Sequence, residues 1–201
     1  MTDRASACGA KLPEIAAAAV RGGADWVQVR EKDLDGAALL ALVREIQRAV
    51  RAQNPAARVI VNRRIDVALA ADAEGAHLGF DALPLSEARE LLGSAALIGV
   101  STHAAAEVLA AAHAGASYAH LAPIFAPYSK AASRAPLGLA ALSEAARAGL
   151  PVIAQGGIDA QRAGACIRAG AAGVAVTGEL CSAPDPERAA RALRAALDGA
   201  A

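Results

Sequence analysis

Aromatic residues are scarce in this chain, 2% of 201 residues. Charge of either sign is not in excess: 20 Lys and Arg face 20 Asp and Glu. No face is obviously basic, so nucleic acid and an anionic membrane surface are poor partners. No apolar run approaches the roughly 18 residues needed to span a bilayer. The first residues show no apolar signal-peptide core. The three cysteines, Cys8, Cys166 and Cys181, have no CxxC spacing and no adjacent His. Disulfides are rare in reducing compartments, so these read as structural thiols. A cytoplasmic protein is expected.

What the chain does have is aliphatic mass. It is 55% hydrophobic, mostly Ala, Val, Leu and Ile. Such a composition packs helices closely against a sheet and argues against disorder. Short apolar runs predict strands at Trp26–Val29, Val59–Val61, Ala76–Leu78, Leu97–Val100, Tyr118–Leu121, Val152–Ala154 and Gly173–Val176. Between them lie Ala-rich stretches, such as Gly36–Arg51 and Ala104–Ala114, with apolar residues at three- and four-residue spacing. Alternation of this kind implies parallel strands and crossover helices.

A repeat narrows the topology. Gly-Ala precedes a strand at Gly23-Ala24, Gly75-Ala76, Gly115-Ala116 and Gly170-Ala171. Glycine beyond a helix tolerates positive φ and ends the helix there. One further strand falls between consecutive pairs, so a two-βα unit repeats in quarters. The expected fold is α/β, a (βα)8 TIM barrel formed by residues 1–201 as a single domain. A doubly wound open sheet also alternates strands and helices, and it is the second choice. The first strand is short or missing, because the residues expected to form it, Thr2-Asp3-Arg4-Ala5-Ser6, are polar. Either the chain start is shortened or that strand is only one or two residues long.

In such a barrel, polar residues at strand C-termini carry the chemistry. Gln28-Val29-Arg30-Glu31-Lys32 ends one strand, and its Arg and Lys two apart can converge on an anion such as a diphosphate. The alternative for that segment is a solvated charged loop. Asn62 and Ser101 directly follow buried strands at the same relative place; as single residues they are equally ordinary helix N-caps. His77 lies within a strand, facing either the barrel interior or the packed core. His103 opens a helix, where capping is the more ordinary role. Gln155-Gly156-Gly157 and Thr177-Gly178-Glu179 end the last two strands. Glycine lets backbone N–H groups approach a ligand, and loops at these positions commonly hold phosphate. The irregular stretch Pro123–Pro136 falls on the same face.

These segments, in order, resemble the thiamine phosphate synthase and thiazole tautomerase family. The resemblance rests on Trp26 to Lys32, on Val61-Asn62 with Arg64 to Ala70, and on Gly75-Ala76-His77-Leu78-Gly79. It continues through Gly99 to His103, Ala122 to Phe125 with Ser129-Lys130, and Pro151 to Ile158. It implies a transferase that joins a hydroxymethylpyrimidine diphosphate to a thiazole phosphate and releases pyrophosphate. Gln28, Arg30, Lys32, Asn62, Ser101 and Lys130 would contact the pyrimidine diphosphate. Ser129, Gly156, Gly157, Thr177 and Gly178 would hold the thiazole phosphate. Arg30, Lys32, Ser101 and Lys130 form the implied catalytic set. The implied partners are phosphorylated small molecules, with no nucleic acid and no membrane; a homo-oligomer is compatible with the sequence.

The resemblance also implies Mg2+, and here the chain departs from the pattern. The family's first magnesium Asp corresponds to Arg63, and the second to Ala82, with Asp81 one place early as the remaining candidate ligand. Pro127-Tyr128-Ser129 stands for the family's Thr-x-Thr, and Gly178 for a phosphate-binding Ser. Two alternatives follow: isomerisation of a thiazole phosphate, or binding of thiazole or thiamine phosphate without catalysis. The tautomerase's catalytic His would fall near Pro123.

Overall fold

A computed structural model describes residues 1–126 and 134–200. Seven parallel strands form one sheet in chain order: β1 (Trp26–Val29), β2 (Arg58–Asn62), β3 (Gly75–Leu78), β4 (Leu97–Thr102), β5 (Tyr118–Leu121), β6 (Val152–Gln155) and β7 (Gly173–Ala175). Nine helices accompany them among the described residues: α1 (Leu12–Arg21), α2 (Gly36–Arg51), α3 (Ile65–Ala70), α4 (Leu85–Leu92), α5 (Ala105–His113), α6 (Gly138–Ala146), α7 (Ala160–Arg168), α8 (Gly178–Cys181) and α9 (Pro186–Asp198).

The sheet curls into a barrel. In a flat sheet β1 and β5 would lie about 19 Å apart, four strand spacings. Instead the Trp26 and Tyr118 rings meet edge to face with centroids 5.1 Å apart. That contact decides against the open doubly wound sheet. The interval between β1 and β7 is occupied by Met1 and Thr2. The Met1 ammonium donates to the Val176 carbonyl at 2.8 Å, and the Thr2 N–H donates to the Gln28 carbonyl at 2.9 Å. The expected first strand is reduced to this stub. Asp3 then caps a single 3-10 turn, Arg4–Ser6, its carboxylate accepting from the Ala5 N–H.

Each strand sends alternate residues to opposite faces. Val27, Val29, Val59, Val61, Ala76, Leu78 and Ile98 pack outward in one apolar arc; Ala119, Leu121, Val152 and Ala154 do so in a second. Val100 touches both arcs. The helices complete these arcs with period-3.6 faces. In α2, Leu39, Val43, Ile46 and Val50 are buried, and the Asp35 side chain caps the first turn by accepting from the Ala38 N–H at 2.9 Å. Asp159 and Asp185 cap α7 and α9 in the same way.

The Gly-Ala repeat has two physical origins. Gly23, Gly115 and Gly170 have φ of +103°, +85° and +97°, as the helix-ending reading requires. Gly75 does not. There Asp72 takes the left-handed conformation, at φ +48°. A Cβ on Gly75 would lie 1.8 Å from the Leu97 carbonyl oxygen, so that glycine is needed for strand approach.

Candidate active site

On the first six strands the residues facing into the barrel are Trp26 and Gln28, Ile60 and Asn62, Gly75 and His77, Gly99 and Ser101, Tyr118 and His120, Ile153 and Gln155. Strand register pairs Asn62 with His77 and Ser101 with His120. The upper members therefore form a polar ring just below the strand C-termini. Gln28 Nε2 donates to Asn62 Oδ1 at 3.2 Å. His77 Nε2 lies 3.0 Å from Ser101 Oγ, and its Nδ1 lies 3.3 Å from the Tyr118 hydroxyl. His120 Nδ1 donates to Gln155 Oε1 at 3.0 Å, which leaves Nε2 as an acceptor.

Burial keeps this floor uncharged. It holds the His77 imidazole well below its ordinary pKa, with His120 and Arg30 nearby adding to the effect. Burial brings His120 down to about 4, partly opposed by its hydrogen bond to Gln155. The same burial raises the Tyr118 phenol. A neutral imidazole donates at one nitrogen and accepts at the other, so His77 fixes both Tyr118 and Ser101.

Two chambers open above the ring at the C-terminal ends of the strands. The smaller, about 410 Å³, is lined by Gln28, Arg30, Lys32, Asn62, Arg63, His77, Asp81, Ser101, His103 and His120 among others. The larger, about 850 Å³, is lined by Gly156, Gly157, Thr177, Gly178 and Arg188 among others. Arg30 and Gln155 line both, so the chambers adjoin. Gln28 is 7% exposed, and its Oε1 has no hydrogen-bond partner among the described residues. A buried acceptor without a donor is costly, and a ligand N–H would satisfy it.

Gly156 and Gly157 stand at φ +97° and +60°. A Cβ on Gly157 would sit 2.3 Å from the Ala126 carbonyl oxygen. The two glycines thus bring the turn after β6 against the chain leaving β5, where the Phe125 N–H donates to the Gly156 carbonyl at 3.0 Å.

The structure thus gathers Gln28, Arg30, Lys32, Asn62 and Ser101 into one chamber and Gly156, Gly157, Thr177 and Gly178 into the other. Ser129 and Lys130 lie outside the described residues. His77 faces the chamber rather than the outer core. His103 stacks on Phe80 at the mouth, with centroids 4.7 Å apart, and its Nδ1 bonds the Ala122 carbonyl. The sequence reading named Gln155 at a strand end without giving it a role, and it missed His120 and Arg188. His120 had a signal: Tyr-Ala-His-Leu in β5 places its His where Gly-Ala-His-Leu in β3 places His77.

Asp81, the remaining candidate metal ligand, faces a cation. Its Oδ2 lies 2.7 Å from the Arg63 guanidinium. No group of three His, Cys, Asp or Glu able to hold a metal occurs among the described residues. Ala82 packs against the apolar arc. The residues at this place do not fit a magnesium ion held by paired carboxylates.

Fold and lining together define the class: a parallel βα barrel whose strand C-termini present cationic side chains and glycine turns in two adjoining chambers. The comparisons make the class specific. A family model described as thiamine monophosphate synthase matches residues 1–180. A thiamine-phosphate synthase of Roseiflexus castenholzii is 43% identical over 194 residues, 96% of this chain and 84% of the relative. One from Anaeromyxobacter dehalogenans is 46% identical over 184 residues, 91% of this chain and 82% of the relative. The solved thiamine phosphate pyrophosphorylase of Pyrococcus furiosus superposes with a TM-score of 0.88 at 28% identity, covering 99% of this chain and 94% of that one. The chain belongs to the thiamine monophosphate synthase family.

Proposed function

We propose that this protein is a thiamine phosphate synthase, a transferase that joins a hydroxymethylpyrimidine diphosphate to a thiazole phosphate. The observation that carries the reading is the pair of adjoining chambers with Arg30 in both linings. Two phosphorylated substrates placed there would share one boundary. Holding them in contact replaces a bimolecular encounter with a positioned one.

The smaller chamber suits the pyrimidine diphosphate. Its unpartnered Gln28 Oε1 accepts from a ring amine, while Ser101 and Asn62 supply hydrogen bonds at the ring edge. Arg30 and Lys32 face the diphosphate. In the larger chamber, Gly157, Thr177, Gly178 and Arg188 receive the thiazole phosphate. The carbon–oxygen bond of the pyrimidine methylene breaks, and the diphosphate leaves with the electron pair. The thiazole nitrogen then gives its lone pair to the methylene carbon, forming the carbon–nitrogen bond. Donors fixed around the diphosphate stabilise the charge that develops on it. A cytoplasmic location forms part of this reading.

The test is pyrophosphate release measured with each substrate alone and with both. Release that requires both substrates is expected. Binding of thiazole phosphate with no pyrophosphate release from the pair would overturn the synthase reading in favour of a binding role.

A further inference from the structure

We propose that Arg63 takes the charge-neutralising place of a divalent cation in the smaller chamber, so that diphosphate is bound and released without metal, with Asp81 as its resting counter-ion. The proposal rests on the diphosphate site described above and adds to it how the anion's charge is met.

Placement comes first. Arg63 directly follows β2, and its N–H donates to the His77 carbonyl at 2.8 Å. It holds a left-handed backbone, φ +64°, a conformation uncommon for residues other than Gly, Asn and Asp. Its stem runs beside Gly79, where a Cβ would meet Arg63 Cγ and Cδ at 3.8 Å. The guanidinium reaches the chamber wall and ends 2.7 Å from Asp81.

Charge comes second. Among the described residues, Arg30, Lys32 and Arg63 line the chamber against a single carboxylate, Asp81. His77 and His120 are held neutral by burial. A diphosphate ester brings two to three negative charges to a wall that already opposes them. A magnesium ion would instead need carboxylate oxygens, and the available one is bound to a fixed cation that repels metal. The Arg63–Asp81 pair is also easily exchanged. Its side chains are 36% and 67% exposed, and ion pairs so exposed are weak. A diphosphate, offering oxygens to both guanidinium edges, displaces the carboxylate.

The experiment titrates the full chain calorimetrically with inorganic pyrophosphate, once in EDTA and once in magnesium. Binding in EDTA, no tighter with magnesium, is expected. Arg63→Gln should weaken metal-free binding about tenfold, the loss of a charged hydrogen-bonding partner. Asp81→Asn alters only an exposed side chain and should tighten binding about threefold by freeing the guanidinium. Pyrophosphate binding only in magnesium, or unchanged affinity in both variants, overturns the proposal. The two readings fail separately. Metal-free pyrophosphate binding without turnover of the substrate pair removes the synthase reading and leaves Arg63 in its role. Turnover and pyrophosphate binding that both need magnesium leave the synthase and remove Arg63.

Discussion

Gly99 is a sharp test of how the barrel floor is built. Tyr118 enters the barrel from β5 and is 2% exposed. Its ring crosses over Gly99, to which it is registered across the sheet. A Cβ on Gly99 would lie 2.0 Å from Tyr118 Cζ and 2.4 Å from its hydroxyl. The ring cannot yield freely, because Trp26, His77 and His120 stand against it with centroids 5.1, 5.6 and 5.4 Å away. Gly99→Ala should therefore cost about 3 kcal/mol, at the upper end for overpacking a filled interior. For a domain of this size that is a fall of about 6–12 °C in Tm. Tyr118→Leu alone should cost about 2–4 kcal/mol through the space it leaves. The two changes answer each other, so the double variant should be more stable than their sum by at least about 1 kcal/mol. Urea unfolding of all four proteins measures this. A Gly99→Ala protein within about 0.5 kcal/mol of the parent, or strict additivity, would refute the packing assigned to Tyr118.

The same floor sets an acid limit. Unfolded His titrates near 6.5 and folded His120 near 4, so the unfolded chain takes up a proton that the folded one refuses. Stability should fall as pH drops from 6.5 to 4, by about 3 kcal/mol from His120 alone, with His77 acting in the same direction. His120→Gln should flatten that profile in urea titrations; an unchanged slope would remove His120 as its source. Gly157→Val meets both a positive φ and the Ala126 carbonyl, so thiazole phosphate affinity should drop at least about tenfold in calorimetry, and retained affinity would free that loop from the role given to it. Gln28→Met keeps the length but loses the orphan acceptor; pyrimidine diphosphate should bind about tenfold more weakly while stability changes by about 1 kcal/mol or less. Equal ligand affinity in parent and variant would show that Gln28 Oε1 meets no ligand donor.

Much of the architecture was legible because it rests on periodicity. Alternating strand residues and the Gly-Ala quarters placed all seven strands within a residue or two. The closure was less legible. Met1 closes the gap through its terminal amine, and Thr2 through its N–H and through a hydroxyl that accepts from the Arg30 N–H and donates to Glu31, none of which an apolar strand pattern announces. In the site, residues immediately after strands were found, since the barrel rule points to them. His120 was passed over because it lies inside a short apolar run, where polarity is read as incidental. The pairing of Arg63 with Asp81 was hidden for another reason. Eighteen positions separate them in sequence, and only the turn after β2 and the chain leaving β3 bring them together.

The neutral histidine floor has a consequence for the reaction itself. Among the described residues, the positive side chains lining the smaller chamber are Arg30, Lys32 and Arg63, which follow the strands, while the floor below is made of neutral imidazole and phenol rings. That arrangement sets cations to one side of the chamber and uncharged rings to the other. A diphosphate bound there as proposed would be drawn toward those cations, while the pyrimidine would lie over rings that carry no charge to repel a cation.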